Sequence, residues 1–153
     1  MNIKLTGILV LLIFSLTVSG QKLNHSYDSL LAVRLGADDY GMKSYTLVIL
    51  KSGPNTTAGK SFIDSCFAGH MQNITRLAEE KKLVVAGPLG KNDLTYRGIF
   101  ILDTPSTEEA EQWVRTDPAV SSGLLEALYF KWYGSAALPV YMDVSEKVNK
   151  FSF

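Results

Sequence analysis

The chain has 153 residues, with 15 Lys and Arg against 15 Asp and Glu, a formal net charge of zero and 46% hydrophobic residues. That length suits one domain with one core, and balanced charge without a basic run argues against nucleic acid or an anionic membrane surface as partner. Cys66 is the only cysteine and His25 and His70 the only histidines, so neither an internal disulfide nor a zinc ligand set can be assembled.

Residues 1–4 carry one positive charge and residues 5–18 form an apolar run, followed by the small residues Ser19 and Gly20. This pattern predicts a signal peptide over residues 1–20, cleaved near Gln21, and hence an exported protein, periplasmic or secreted. The run falls short of the roughly 20 apolar residues that cross a bilayer, so no stable membrane association is expected after cleavage. Residues 21–44 read as an N-terminal extension, in which residues 29–35 suit two helical turns stopped by Gly36, and residues 38–41 suit a turn. The β-branched and aliphatic run 45–51, closed by Ser52-Gly53-Pro54, is the first strand.

Residues 61–82 then carry apolar side chains at Ile63, Cys66, Phe67, Met71, Ile74, Leu77 and Ala78, the helical period. His70 falls on that stripe, turned inward with Phe67 and Ile74. As the only histidine outside the extension, it is where proton chemistry near neutral pH would rest. Cys66, on the same stripe, is expected to be a buried thiol. Strand two covers residues 83–86 before Gly87-Pro88, and strand three residues 96–103. Ser106 caps a second helix, with Glu109 completing a capping box. This helix ends at Asp117-Pro118, since the residue before proline is pushed out of helical geometry. Residues 125–133 are strand four, and residues 139–153 form a weakly helical tail.

The order β-α-β-β-α-β is the ferredoxin-like α+β arrangement, a four-stranded antiparallel sheet with two helices on one face. Strand four alternates Leu128, Phe130 and Trp132 against Ala127, Tyr129 and Tyr133, apolar or aromatic on both sides. A sheet apolar on both faces must be covered twice. Without a third long helix, the expected second cover is another copy of the sheet, a face-to-face homodimer. A histidine acting as general base needs a partner that fixes its tautomer and stabilises the imidazolium. Asp117, held before a proline, is the best-placed carboxylate.

Several spaced motifs carry a family resemblance: Gly69-His70-Met71, Asn73-Ile74, Arg76-Leu77-Ala78, residues 83–88, Arg97-Gly98-Ile99-Phe100, Glu108-Glu109-Ala110, residues 116–120 and residues 132–138. Together they resemble the YCII-related (YciI-like) family, and residues 35–38 with Tyr40-Gly41-Met42 resemble its exported branch. The resemblance places the YCII-related domain at residues 45–138. It implies a dimeric α/β-barrel, a His-Asp dyad matching His70 and Asp117, and chemistry on hydroxylated or chlorinated aromatic rings or lactones by elimination or isomerisation. No cofactor and no metal are implied. Arg97, Tyr45 and Trp132 are candidate substrate contacts, against the alternatives of a surface ion pair for Arg97 and core or interface packing for the two aromatics. The competing functional class is a non-catalytic dimeric module that binds a small ligand.

Overall fold

The computed structural model describes residues 24–150; the expected signal peptide, residues 1–20, lies outside them. The elements are α1 (Ser29–Leu35), β1 (Met42–Ser52), α2 (Lys60–Glu79), β2 (Leu83–Pro88), β3 (Tyr96–Leu102), α3 (Thr107–Val114), α4 (Pro118–Ser121), β4 (Leu125–Ser135), a 3-10 turn (Leu138–Tyr141) and α5 (Met142–Val148). The strands form one antiparallel sheet in the order β2-β3-β1-β4, the ferredoxin-like α+β fold. Both central strands are dense in β-branched and aliphatic residues, which suits positions flanked on two edges and packed on two faces.

Local chemistry sets the element ends. Asp28 caps α1 through its side chain, and Gly36 ends it in the left-handed region at φ 69°, where a Cβ would be strained. Ser106 Oγ accepts from the Glu109 amide at 3.1 Å, as the capping pattern predicts. β1 runs longer than the apolar run suggests, because Met42, Lys43 and Ser44 continue the ladder opposite Ser135, Gly134 and Tyr133.

The helix-side core joins Val48, Leu50, Leu77, Leu83, Phe100, Leu102, Ala110, Val114, Ala119 and Leu125. Each fully buried Leu, Val or Phe contributes about 1.5–3 kcal/mol of burial. Cys66 is a buried free thiol. The buried edge of α2 is narrower than the full apolar stripe: Cys66, Asn73 and Leu77 are buried, whereas Phe67 and Met71 are exposed. A helix flanked by a second helix on one side only leaves the far rim of its stripe in solvent.

The opposite face carries a smaller cluster of Tyr45, Val84 and Ile101. Part of its cover comes from the chain itself: Leu138 and Met142 pack on this cluster, and the Tyr141 hydroxyl donates to the Val84 carbonyl. The tail thus supplies part of the cover for which the sequence pattern suggests a second copy. The tail takes the β2 side, where alternation turns Val84 to this face and the register shift between Leu83 and Val85 brings Val85 to it as well. On the β4 side Phe130 stays 46% exposed.

Tyr45 has no exposed surface, and its hydroxyl donates to the Ser135 carbonyl at 2.8 Å. Burial, and then the Asp103 carboxylate, push its phenol up to about 12. Burial and then Glu111, opposed by Arg115, push Tyr129 to about 12 as well. Each phenol thus holds its proton more tightly folded than unfolded, where it titrates near 10. Their contribution to stability is complete below about pH 10 and is lost as pH rises toward 12. Alkaline unfolding followed by circular dichroism should coincide with late phenolate absorbance from these two residues. Phenolate absorbance completed by about pH 10 in a still-folded protein would refute the burial argument.

Candidate active site

The site forms where α2 meets the segment between α3 and α4. α3 ends at Val114, and Asp117 adopts extended backbone, φ −78° and ψ 121°, as a residue before proline must. Rather than closing the second helix, Asp117 is the N-cap of a further short helix, with Pro118 in its first turn. The Asp-Pro pair carried that signal, a capping carboxylate followed by a proline preset for the first helical position. Asp117 Oδ1 accepts from the Ala119 amide at 2.9 Å, and its carbonyl accepts from the Ser121 amide at 2.8 Å. The carboxylate is thereby held in one orientation with Oδ2 free to turn to α2.

His70 meets it there. Nδ1 lies 2.6 Å from Asp117 Oδ2, with the side chains 12% and 0% exposed. An ionised carboxylate has no proton to give, so the imidazole donates through Nδ1–H, which leaves Nε2 with its lone pair. Phe100 of β3 stacks on the imidazole at 6.0 Å between ring centroids, and Phe67 meets it edge-on at 5.9 Å. The imidazole is therefore flanked by apolar rings, one of them, Phe67, partly in solvent.

The other sequence candidates are not drawn to this pair. Tyr45 and Trp132 are cross-strand partners with ring centroids 5.6 Å apart, and both belong to the cluster on the opposite face of the sheet from Phe100. Trp132 lines a surface hollow of about 210 Å³ with Ser44, Lys131 and Tyr133; His70 does not line it. Arg97 is exposed on β3 beside the register irregularity at Leu50/Lys51 and makes no side-chain hydrogen bond or ion pair among the described residues.

Gly69, Asn73 and Thr116, which in the sequence stand only as parts of the family motifs, lie beside this pair. Asn73 had a detectable signal, a polar side chain three residues after His70 and four before Leu77, on the stripe that faces inward. Among the described residues, no group of three or more His, Cys, Asp or Glu could hold a metal ion, and no helix is long and apolar enough to cross a membrane.

The YCII-related domain family matches residues 45–132, a span from the first to the last strand that contains both members of the dyad. The chain belongs to the YCII-related family. The chain is 33% identical over 88 residues to the uncharacterized protein YjpA of Bacillus subtilis (strain 168), covering 58% of this chain and 94% of that one. Among solved structures it is similar to the 5-chloro-2-hydroxyhydroquinone dehydrochlorinase TftG of Burkholderia phenoliruptrix AC1100, in complex with 2,5-dihydroxybenzoquinone. The identity there is 24% and the TM-score 0.43, over 57% of this chain and 92% of the other. The YCII-related domain here is extended at its N-terminal side by α1, whose Leu30 and Val33 are exposed. The Tyr133 hydroxyl donates to Asp38 and ties this extension to β4; that bond is the main cause holding the Asp38 carboxyl below its ordinary value.

Proposed function

We propose that this protein is a small exported enzyme that uses His70 and Asp117 for cofactor-independent proton transfer, an elimination or isomerisation, on a small cyclic or aromatic hydroxylated substrate. The observation that carries the proposal is the 2.6 Å contact between Nδ1 and a fully buried carboxylate, which leaves Nε2 as an oriented base. In this scheme Nε2 takes a proton from the substrate, and the electron pair left behind forms the new double bond. In an elimination the leaving group departs with its bonding pair. In an isomerisation the same proton returns at a neighbouring atom. Asp117 stays ionised throughout and stabilises the imidazolium, as in other histidine bases with a carboxylate orienter. The partly exposed Phe67 ring beside the imidazole suits a flat ring substrate.

The active form in this proposal is a homodimer joined across the uncovered part of the sheet, where Phe130 is exposed and Leu47, Ile49 and Leu128 are half-buried. Native mass spectrometry of the protein as purified should report a dimer and any retained small molecule. Wild type should then convert at least one member of a panel of hydroxylated and chlorinated aromatic rings and lactones, whereas His70→Ala should bind it without conversion. Saturable binding with no product from any of them would make the protein a ligand-binding module instead.

A further inference from the structure

We infer that Thr116-Asp117-Pro118 docks on α2 as one unit, and that Gly69, Asn73 and Thr116 are positioning residues that set the His70–Asp117 contact. Only the catalytic meaning of this clamp rests on the proton-transfer proposal; the clamp itself is geometric.

Three consecutive residues of one segment meet three residues of one helix in reversed order. Pro118 lies on Gly69, where a Cβ would stand 2.7 Å from Pro118 Cγ and 3.4 Å from its Cβ. Asp117 meets His70. Thr116 Oγ1 lies 2.9 Å from Asn73 Oδ1. Arg76 closes the far side, since its Nη2 donates to Asn73 Oδ1 at 2.8 Å and to Thr116 Oγ1 at 2.9 Å. The dyad is therefore bracketed, by a backbone approach that only glycine allows on one side and by a hydrogen-bonded triad on the other.

Each bracket has a reason to act on the dyad and not merely on folding. A charge-assisted hydrogen bond of this length weakens quickly as its atoms separate or misalign. Asp117 is fixed by its own cap, so it moves with its segment rather than by a change of rotamer. Any displacement of residues 116–118 from α2 is passed straight to Oδ2. Asn73 is 6% exposed, and only its oxygen is engaged; Nδ2 has no partner among the described residues. The amide's contribution is thus its oxygen, joined to Thr116 through the Arg76 guanidinium that donates to both, while the Thr116 hydroxyl proton is divided between this oxygen and the Trp113 carbonyl 2.6 Å away. Thr116 is exposed, so removal of its hydroxyl leaves the core packing intact.

The test is proton NMR of the His70 Nδ1–H in the full-length protein, with Asp117→Asn as the control that abolishes donation to a carboxylate. Wild type should show a downfield Nδ1–H resonance in slow exchange with water. In Thr116→Val and in Gly69→Ala the resonance should move upfield and exchange at least about tenfold faster, as expected when local opening becomes easier. Thr116→Ser, which restores the hydroxyl, should return both values to wild type. The proposal is overturned if Thr116→Val and Gly69→Ala keep the wild-type resonance and exchange rate, or if Thr116→Ser behaves like Thr116→Val. Because this readout does not use turnover, failure of the clamp leaves the proton-transfer proposal standing. Conversely, unaltered turnover in Asp117→Asn refutes that proposal while the clamp survives.

Discussion

Asp117→Asn is expected to lower kcat on the substrate found by the conversion panel by about 10²–10⁴-fold while the protein stays folded. An asparagine keeps an oxygen for the Ala119 amide, so the cap on α4 survives. What changes is the side facing His70. The atom opposite Nδ1 becomes an amide nitrogen that must donate, so the imidazole proton moves to Nε2, the atom that should act as base. The charge that would stabilise the imidazolium is lost as well. His70→Ala removes the base itself and should cost at least as much. The double variant should be scarcely worse than the poorer single one, since the two residues act as a unit. Steady-state kinetics on all three, with circular dichroism as the folding control, checks the result. Turnover within about threefold of wild type in Asp117→Asn, far inside the expected range, would end the dyad proposal.

Phe130→Glu is expected to separate the proposed homodimer. Phe130 lies opposite Leu47 across the β1–β4 ladder, and Leu128 opposite Ile49, so these side chains form one apolar strip on the face only partly covered by the tail. Phe130 is 46% exposed, which makes a glutamate there harmless to a lone protomer, whose carboxylate stays in water. In a face-to-face pair the same carboxylate meets apolar surface from the second copy. Burying it without a partner costs several kcal/mol, and about 3 kcal/mol already weakens association by more than 10²-fold. Sedimentation velocity over a range of concentrations should show a wild-type dimer and a Phe130→Glu monomer with unchanged secondary structure. A variant that remains as dimeric as wild type places the interface elsewhere.

Much of this architecture is legible in local pattern. The strand runs alternate with period two, α2 repeats its apolar residues at the helical period, and Ser106 with Glu109 marks the start of α3. Each signal depends on neighbours within a turn or a few strand residues, so it survives in the sequence. Boundaries were less legible where the chain is polar: β1 extends back to Met42 and β4 forward to Ser135 because they pair with each other, a reason found in neither strand alone. α4 is not legible as a helix, because four residues are too few for a periodic pattern. The share of the second cover taken by the tail is not legible either, because a short 3-10 turn and α5 carry too few residues to show which face they meet.

The candidate pair was legible in the same uneven way. His70 stood out as a titratable group on an apolar stripe, and Asp117 as a carboxylate pinned before proline, yet their meeting could not be read from spacing. They are 47 residues apart, and their contact depends on α2 and Pro118 approaching closely enough that a Cβ on Gly69 would clash. Tyr45 and Trp132 show the converse. Their residue types suggested a site, but the pleat of β1 and β4 turns them to the other face of the sheet. By itself, then, the sequence determined the β-α-β-β-α-β order, the family and which titratable residues are candidates for a site, because those properties reside in local pattern and residue chemistry. Only the tertiary structure decided which side chains converge, since that depends on how closely distant segments pack and on the face to which each strand position is turned.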